Sequence, residues 1–336
     1  MVLKAFCTRT SALLHQRFCS DYVKQMRYLF NLKEDDDACR QALTSGTFYL
    51  FHNLAPLLQK SKEGNTAPQI NASEVNTILE KMGQQEMKLE DSVLIDCSER
   101  EVAQFALDLG LLEKSALESN LQGKFVDLRK ALLLLNGKNA PLLMKAQALL
   151  RWHASNQYCS QTGQPTQKSV SGSKQICSAN GKIYYPQMSP VVITLVSDGS
   201  RCLLARQEAF PAGMYTALAG FCDIGETVED AVHREVAEEV GLEVEAVKYT
   251  GSQHWSFPDS SLMIACHATV HPKKTQILLN KFELEDAHWF SVEEVLMALN
   301  RGVFLKGESG TVPVWVPPKW AIAHHLIQEW AQQQIR

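Results

Sequence analysis

Residues 220–242 read GFCDIGETVEDAVHREVAEEVGL, and this stretch limits the chain more than any other. Thr227 followed three residues later by Asp230 has the form of a capping box, and Gly241 stands where a helix would end. Between them there is neither Pro nor Gly, so the spacing predicts a helix over 228–240. On that helix Glu235, Glu238 and Glu239 stand at i, i+3 and i+4, which puts three carboxylates within about 100° of arc. Like charges so placed repel one another. A solvated acidic face is the commoner origin of such a cluster. The alternative is a hard divalent ion, Mg²⁺ or Mn²⁺, which prefers oxygen ligands and bridges carboxylates to substrate phosphates.

The choice between them comes from the residues around the cluster. Gly220, Glu226, Arg234, Glu235, Val236, Glu238, Glu239, Gly241 and Leu242 satisfy every position of the pattern Gx5Ex7REUxEExGU, where U is aliphatic. The segment resembles the signature of the Nudix hydrolases, which cleave nucleoside diphosphates linked to another moiety. Ser252–Met263 reads SQHWSFPDSSLM and is similar to SQPWPFPxSLM, which marks the NADH pyrophosphatase subfamily. His254 and Ser256 stand in place of two prolines, and one extra Ser precedes Leu262. The stretches ALLRWHASNQYC (148–159), YYPQMSPVV (184–192), TALAG (216–220) and PPKWAIAHHLI (317–327) resemble the same subfamily, in its mitochondrial vertebrate branch.

That resemblance implies an N-terminal α+β domain over 21–150, a ribbon-like connector over 151–187 and a C-terminal α/β/α Nudix sandwich over 188–336. It also implies a homodimer. By position, Glu235, Glu239, the backbone carbonyl of Ala219 and Glu283 would hold the metal, with Glu285 or Asp286 as alternatives to Glu283. Glu238 would join the cluster or orient water, and the general base stays open between Glu238 and Glu239. Arg234 and Glu226 would pair and brace the site. Substrate-contact positions fall on Tyr185, Phe221, Gln253, His254, Trp255, Ser256, Phe257, Pro258, Asp259, Ser260 and Ala323. Phe221 could stack on a planar ring, whereas Tyr185, before Pro186, could equally be a packing residue. A further acidic contact of the family falls near Gly172 and is missing.

The ribbon departs from the family. Where the resemblance implies CxxC twice, the chain has Cys159, Thr162, Cys177 and Asn180. Two thiolates do not close a tetrahedral structural zinc site, and nothing in the spacing of His153 makes it a ligand. No zinc is expected.

Elsewhere the residues speak for themselves. Residues 1–20 carry Lys4, Arg9 and Arg17 with no acid before Asp21, the composition of a mitochondrial targeting peptide. Leu3, Phe6, Cys7, Leu13, Leu14 and Phe18 share an arc of roughly 140°, with Arg17 intruding. The other reading is a short first helix of the following domain. Thr47–Phe51 and Ser92–Ile95 read as strands, Phe125–Leu135 and Ala140–Leu150 as helices, and Lys60–Ala67 as a surface loop. The β-branched run VVITLV from Val191 suits a buried strand. The longest apolar runs, 131–135 and 191–196, fall far short of the roughly 18 residues that span a membrane. Nine cysteines without an intact CxxC pair read as free thiols of a reducing compartment such as the mitochondrial matrix.

With 33 basic and 37 acidic residues the formal charge is −4, so no global field attracts a polyanion. The expected activity is metal-dependent hydrolysis of the diphosphate of NADH or NADPH to reduced nicotinamide mononucleotide plus AMP or its 2′-phosphate. Removal of NAD caps from RNA is the rival within enzymes, and the lack of a basic stripe speaks against it. A noncatalytic dinucleotide sensor is the rival from another class.

Overall fold

A strand that is apolar on successive residues needs cover on both faces, and the run TFYLFH shows how the first unit supplies it. The computed structural model describes residues 7–335 apart from 84–86, 99, 136 and 302–311, with residues 7–20 as backbone only. Residues 1–6 of the expected targeting segment lie outside the described residues, as do the side chains of 7–20 on which its apolar arc rests. The chain divides into two units, Met1–Pro186 and Gln187–Arg336.

In the first unit α1 (Cys7–Glu34) and α2 (Asp36–Ser45) precede β1 (Thr47–His52). There follow β2 (Ala55–Ser61), β3 (Gly64–Thr66), β4 (Ile70–Asn71), α3 (Ala72–Lys81), β5 (Val93–Cys97) and β6 (Ala103–Asp108). The unit continues through α4 (Lys114–Asn120), β7 (Lys124–Phe125), α5 (Leu128–Leu134) and α6 (Ala140–Ser155). The sheet runs β3-β2-β1-β6-β5, with β4 added on β1 and β7 on β2. β1 and β6 pair in parallel with Phe48 opposite Phe105, whose rings stack at 5.3 Å. Around them Leu50, Leu57, Leu107 and Leu109 are buried.

Two expectations are corrected here. Lys60–Ala67 is no loop but the end of β2, a turn and β3, with Gln59 opposite Thr66 and Ser61 opposite Gly64. Residues 60–64 and Thr66 are exposed as read and Ala67 is buried, yet the backbone pairs, which side-chain polarity does not report. Gly64, at φ +116°, follows the turn. The helix expected from Phe125 begins at Leu128, because Asp127 caps it by accepting from the Arg129 amide, and Phe125 turns inward on β7.

The expected ribbon-like connector contains a three-stranded antiparallel sheet: β8 (Thr166–Lys168), β9 (Gln175–Cys177) and β10 (Ile183–Tyr184).

The second unit is built on β11 (Ser189–Ser197), the strand read from VVITLV. Around it stand β12 (Cys202–Arg206), β13 (Leu218–Phe221), α7 (Val228–Val240), β14 (Val244–Trp255), β15 (Ser261–Val270), β16 (Asp286–Phe290), α8 (Val292–Arg301) and α9 (Ile322–Ile335). The sheet order is β14-β15-β11-β12-β16, with β13 also on β11 and with β11 and β15 parallel. Alternation along β11 sorts the layers. Val192 and Val196 pack with Val232, Val236 and Val240 of α7, while Ile193 and Leu195 pack with Val295 of α8 and Leu326, Ile327 and Trp330 of α9. The result is the expected α/β/α sandwich. Among the described residues no helix is long and apolar enough to cross a membrane.

Phe105→Ala is expected to destabilise the first unit by about 3–5 kcal/mol, since a fully buried ring is removed against its stacked partner. A shift of its urea transition to lower concentration measures this.

Candidate active site

The acidic helix forms where the sequence places it, over Val228–Val240. Thr227 accepts from the Asp230 amide at 3.1 Å, and the Asp230 carboxylate accepts from the Thr227 amide and hydroxyl. At the other end Gly241 adopts φ +66° and donates to the Ala237 carbonyl. A side chain there would meet Leu278 at 2.7 Å as well as the backbone strain.

Val232, Val236 and Val240 face the sheet, and this packing draws Glu235 and Glu239 down with them, to 8 % and 2 % exposure. Buried carboxylates need partners. Glu235 has one in Arg234, whose Nη1 donates to it at 2.9 Å and to Glu238 at 2.9 Å. The same guanidinium donates through Nε and Nη2 to both oxygens of Glu226, at 2.6 and 2.9 Å, and to the Phe221 carbonyl at 2.8 Å. This fork, together with the Asp223 amide, holds Glu226 down at about 2.

Glu239 has no such help. Its Oε2 is buried without a hydrogen-bond partner among the described residues. Burial, and after it the charges of Glu235, Glu283 and Glu238, push its carboxyl up to about 8. Burial also raises Glu235, against the pull of Arg234. Backbone bonds bring the fourth acid here: Leu278 and Asn280 donate to the carbonyls of Val240 and Glu239, and Glu283 and Leu284 donate to that of Asn280. Leu284 is buried and Glu283 is exposed. The neighbouring acids are engaged elsewhere, Glu285 with Arg206 at 2.7 Å and Asp286 with the Tyr215 hydroxyl at 2.5 Å and His288 at 2.6 Å.

Gly220 lies on β13 opposite Val192, next to Ala219 opposite Ile193. A Cβ on Gly220 would fall on the Glu235 carboxylate. An orphaned buried oxygen, four acids acting on one another and a glycine that leaves room for the carboxylate fit a hard divalent cation. Among the described residues no three acids are gathered as ligands of one ion, so the fit rests on charge and burial.

The segment expected to meet substrate has two kinds of residue. Gln253 is clamped at both ends, donating to the Trp320 carbonyl and accepting from the Ile322 amide at 2.8 Å each. Trp255 stacks on Trp320 at 5.5 Å and meets Phe257 edge-on at 5.7 Å. His254 bonds the Ser260 hydroxyl at 2.9 Å across the base of the turn. Ser256, Phe257 and Ser260 are buried, whereas Pro258 and Asp259 are exposed. Ala323 is buried in the first turn of α9, and Phe221 is half exposed. Tyr185, also exposed, belongs to the first unit. Trp320 and Asn280 join the site beyond the residues that the sequence marks. PPKW was legible as a resemblance, but the bond from the Asn280 amide to the Glu239 carbonyl has no counterpart in the sequence pattern.

Gly220→Ala is expected to displace the Glu235 carboxylate and lower metal affinity at unchanged secondary structure, as titration calorimetry with Mn²⁺ and circular dichroism would show. Without metal, folded Glu239 keeps its proton up to about pH 8, against 4.5 for an ordinary Glu. The folded chain therefore binds more protons across that window, so its stability falls as pH rises from 4.5 to 8. Thermal unfolding of metal-free protein across this range should show the fall, with Glu239→Gln and added Mg²⁺ each flattening it.

Three family matches cover most of the chain. A NADH pyrophosphatase-like rudimentary NUDIX domain matches residues 45–152, a NADH pyrophosphatase zinc ribbon domain residues 154–185 and a NUDIX domain residues 186–308. The human protein "NAD(P)H pyrophosphatase NUDT13, mitochondrial" is 58% identical over 328 residues, which is 95% of this chain and 93% of that one. The mouse protein of the same name is 58% identical over 326 residues, 94% of this chain and 93% of that one. The human "NAD-capped RNA hydrolase NUDT12" is 44% identical over 210 residues, 60% of this chain and 43% of that one. With the acidic helix, its arginine brace and both units matched, the chain belongs to the Nudix hydrolases, in the branch that carries a rudimentary Nudix domain and a ribbon ahead of the Nudix domain.

Proposed function

We propose that the chain hydrolyses the diphosphate of NADH or NADPH, releasing reduced nicotinamide mononucleotide and AMP or its 2′-phosphate. The observation that carries this reading is buried Glu239, whose Oε2 has no hydrogen-bond partner among the described residues and on which the charges of Glu235, Glu238 and Glu283 act, within a chain 58% identical over nearly its whole length to mitochondrial NAD(P)H pyrophosphatases. Glu235, Glu239, Glu283 and the Ala219 carbonyl would hold Mg²⁺ or Mn²⁺. When bound, such an ion neutralises the diphosphate and lowers the pKa of a bound water.

The remaining work falls to the chain's own residues. Arg234 fixes Glu235 and Glu238 in orientation and keeps Glu226 ionised, so that the brace stays charged over the working pH range. Glu238, half exposed and paired with Arg234, would orient a water. Phe221 offers a half-exposed ring for a planar base. The Trp255–Trp320 stack and the Gln253 clamp fix the segment that would meet the nucleotide.

The closest support for mitochondrial placement is the pair of mitochondrial relatives together with the basic, acid-free first twenty residues. Import of the chain fused to a fluorescent protein, lost on deleting residues 1–20, checks it. The family resemblance supports a homodimer, which light scattering would measure. The zinc ribbon match speaks for a metal, whereas the chain keeps only two of the four ligand positions, which supports a ribbon closed without zinc. Removal of NAD caps from RNA is a second reading, favoured by the similarity to NUDT12.

Glu239→Gln should lower kcat on NADH by at least about 100-fold, because loss of residues that merely support a metal ligand already costs 10–100-fold. Turnover of NADH, NADPH and NAD-capped RNA in competition, with and without Mg²⁺, ranks the substrates. Binding without turnover in the unsubstituted protein would replace the hydrolase reading with that of a sensor.

A further inference from the structure

The ribbon contains two turns of one design. Cys159 donates its amide to the Gln164 carbonyl and accepts from the Gly163 amide, while Cys177 donates to Lys182 and accepts from Gly181, at 2.8–2.9 Å throughout. Gly163 and Gly181 both lie in the left-handed region, at φ +68° and +71°. Each turn has the form Cys-Ser-x-x-Gly, and each would present two ligands in a zinc ribbon. Here the second position holds Thr162 in one and Asn180 in the other. Neither supplies a thiolate or imidazole, so the donor set does not fit a structural zinc. His153 is no substitute, since its two ring nitrogens are bonded to the Gly172 carbonyl at 2.7 Å and the Gln175 side chain at 2.9 Å.

The two sulfurs nevertheless converge. Both are buried, and both reach the Thr162 hydroxyl, which lies 3.5 Å from Cys177 Sγ and also bonds Cys159. The Tyr184 hydroxyl touches Cys159 Sγ at 3.1 Å. β8 and β9 hold the turns in register, with Thr166 opposite Cys177 and Tyr158 bridged to Pro165. With two of the four ligand positions empty of thiolate, two thiols face one small hydroxyl between turns that their own backbone bonds keep in place.

We propose that Cys159 and Cys177 form a reversible disulfide site, a covalent closure where the family carries zinc. The oxidant is a low-molecular-weight disulfide of the glutathione class. The Cys159 thiolate attacks one of its sulfurs, forming a mixed disulfide and expelling a glutathione thiolate. Cys177 then loses its proton and attacks Cys159 Sγ, so that the protein disulfide forms and a second glutathione thiolate leaves. Two protein thiols are oxidised by two electrons and one small disulfide is reduced to two thiols. Hydrogen bonds from Thr162 and Tyr184 hold the Cys159 thiol down at about 6, which favours it as the attacking sulfur. Residues 160–164 and 178–181, which overlie the sulfurs, are exposed, so opening of one turn gives access.

The test uses the full chain, first assayed for bound zinc, then incubated with oxidised glutathione, alkylated with N-ethylmaleimide and mapped by mass spectrometry. The expected result is protein without zinc, a peptide pair joined through Cys159 and Cys177 and two fewer alkylated thiols, all reversed by dithiothreitol. In Cys177→Ser the glutathione adduct should remain on Cys159. Alkylation of both thiols with no cross-link after oxidation would overturn the proposal. So would one zinc per chain that must be stripped before either thiol reacts. The readout is a covalent bond, so it stands apart from turnover.

Discussion

Arg234 donates to Glu226, Glu235 and Glu238 at once, and the seating of α7 on its sheet depends on that fork. Apolar packing of Val232, Val236 and Val240 pulls the helix inward and takes Glu235 and Glu239 out of water. A buried carboxylate costs several kcal/mol unless a positive group or hydrogen-bond donors meet it. One planar guanidinium meets two of the three acids whose charges act on Glu239 and leaves the buried Oε2 of Glu239 unmet among the described residues. The helix is thus seated with more carboxylates than its one guanidinium neutralises, which is the condition a cation site must satisfy.

The rest of the second unit serves that condition. β11 is covered by α7 on one side and by α8 and α9 on the other, so its position is determined by two cores at once. β13 pairs with β11 and carries Ala219 and Gly220 to the helix, where the missing side chain of Gly220 leaves space for Glu235. The segment 278–284 is tied by backbone bonds to the last turn of α7, and this tether is what brings Glu283 to Glu239. Side chains do the chemistry, but backbone hydrogen bonds set the distances.

The ribbon shows the opposite economy. Its two turns persist with half of the expected ligands because each is closed by its own backbone bonds and a left-handed glycine. His153, Gln175 and Thr166 form a buried polar network at its base, and Lys168 donates to the carbonyls of Glu90 and Ser92. The fold is held locally, so ligand loss leaves the thiols in place.

Local chemistry was legible in the sequence. The capping pair Thr227–Asp230, the terminal Gly241 and the i, i+3, i+4 glutamates predict a helix and its acidic face from neighbours along the chain, and the helix stands over 228–240 as read. The run at Val191 likewise reads as a strand covered on both faces. Pairing was not legible, since the hairpin of β2 and β3 looks like a loop when only side-chain polarity is read. Nor could spacing separate Glu283 from Glu285 and Asp286. In the folded chain the charge of Glu283 acts on Glu239, while Arg206 and Tyr215 engage the other two. Sequence periodicity reports which face a residue occupies, whereas the burial that leaves Glu239 without a partner and raises its carboxyl to about 8 arises from groups distant along the chain.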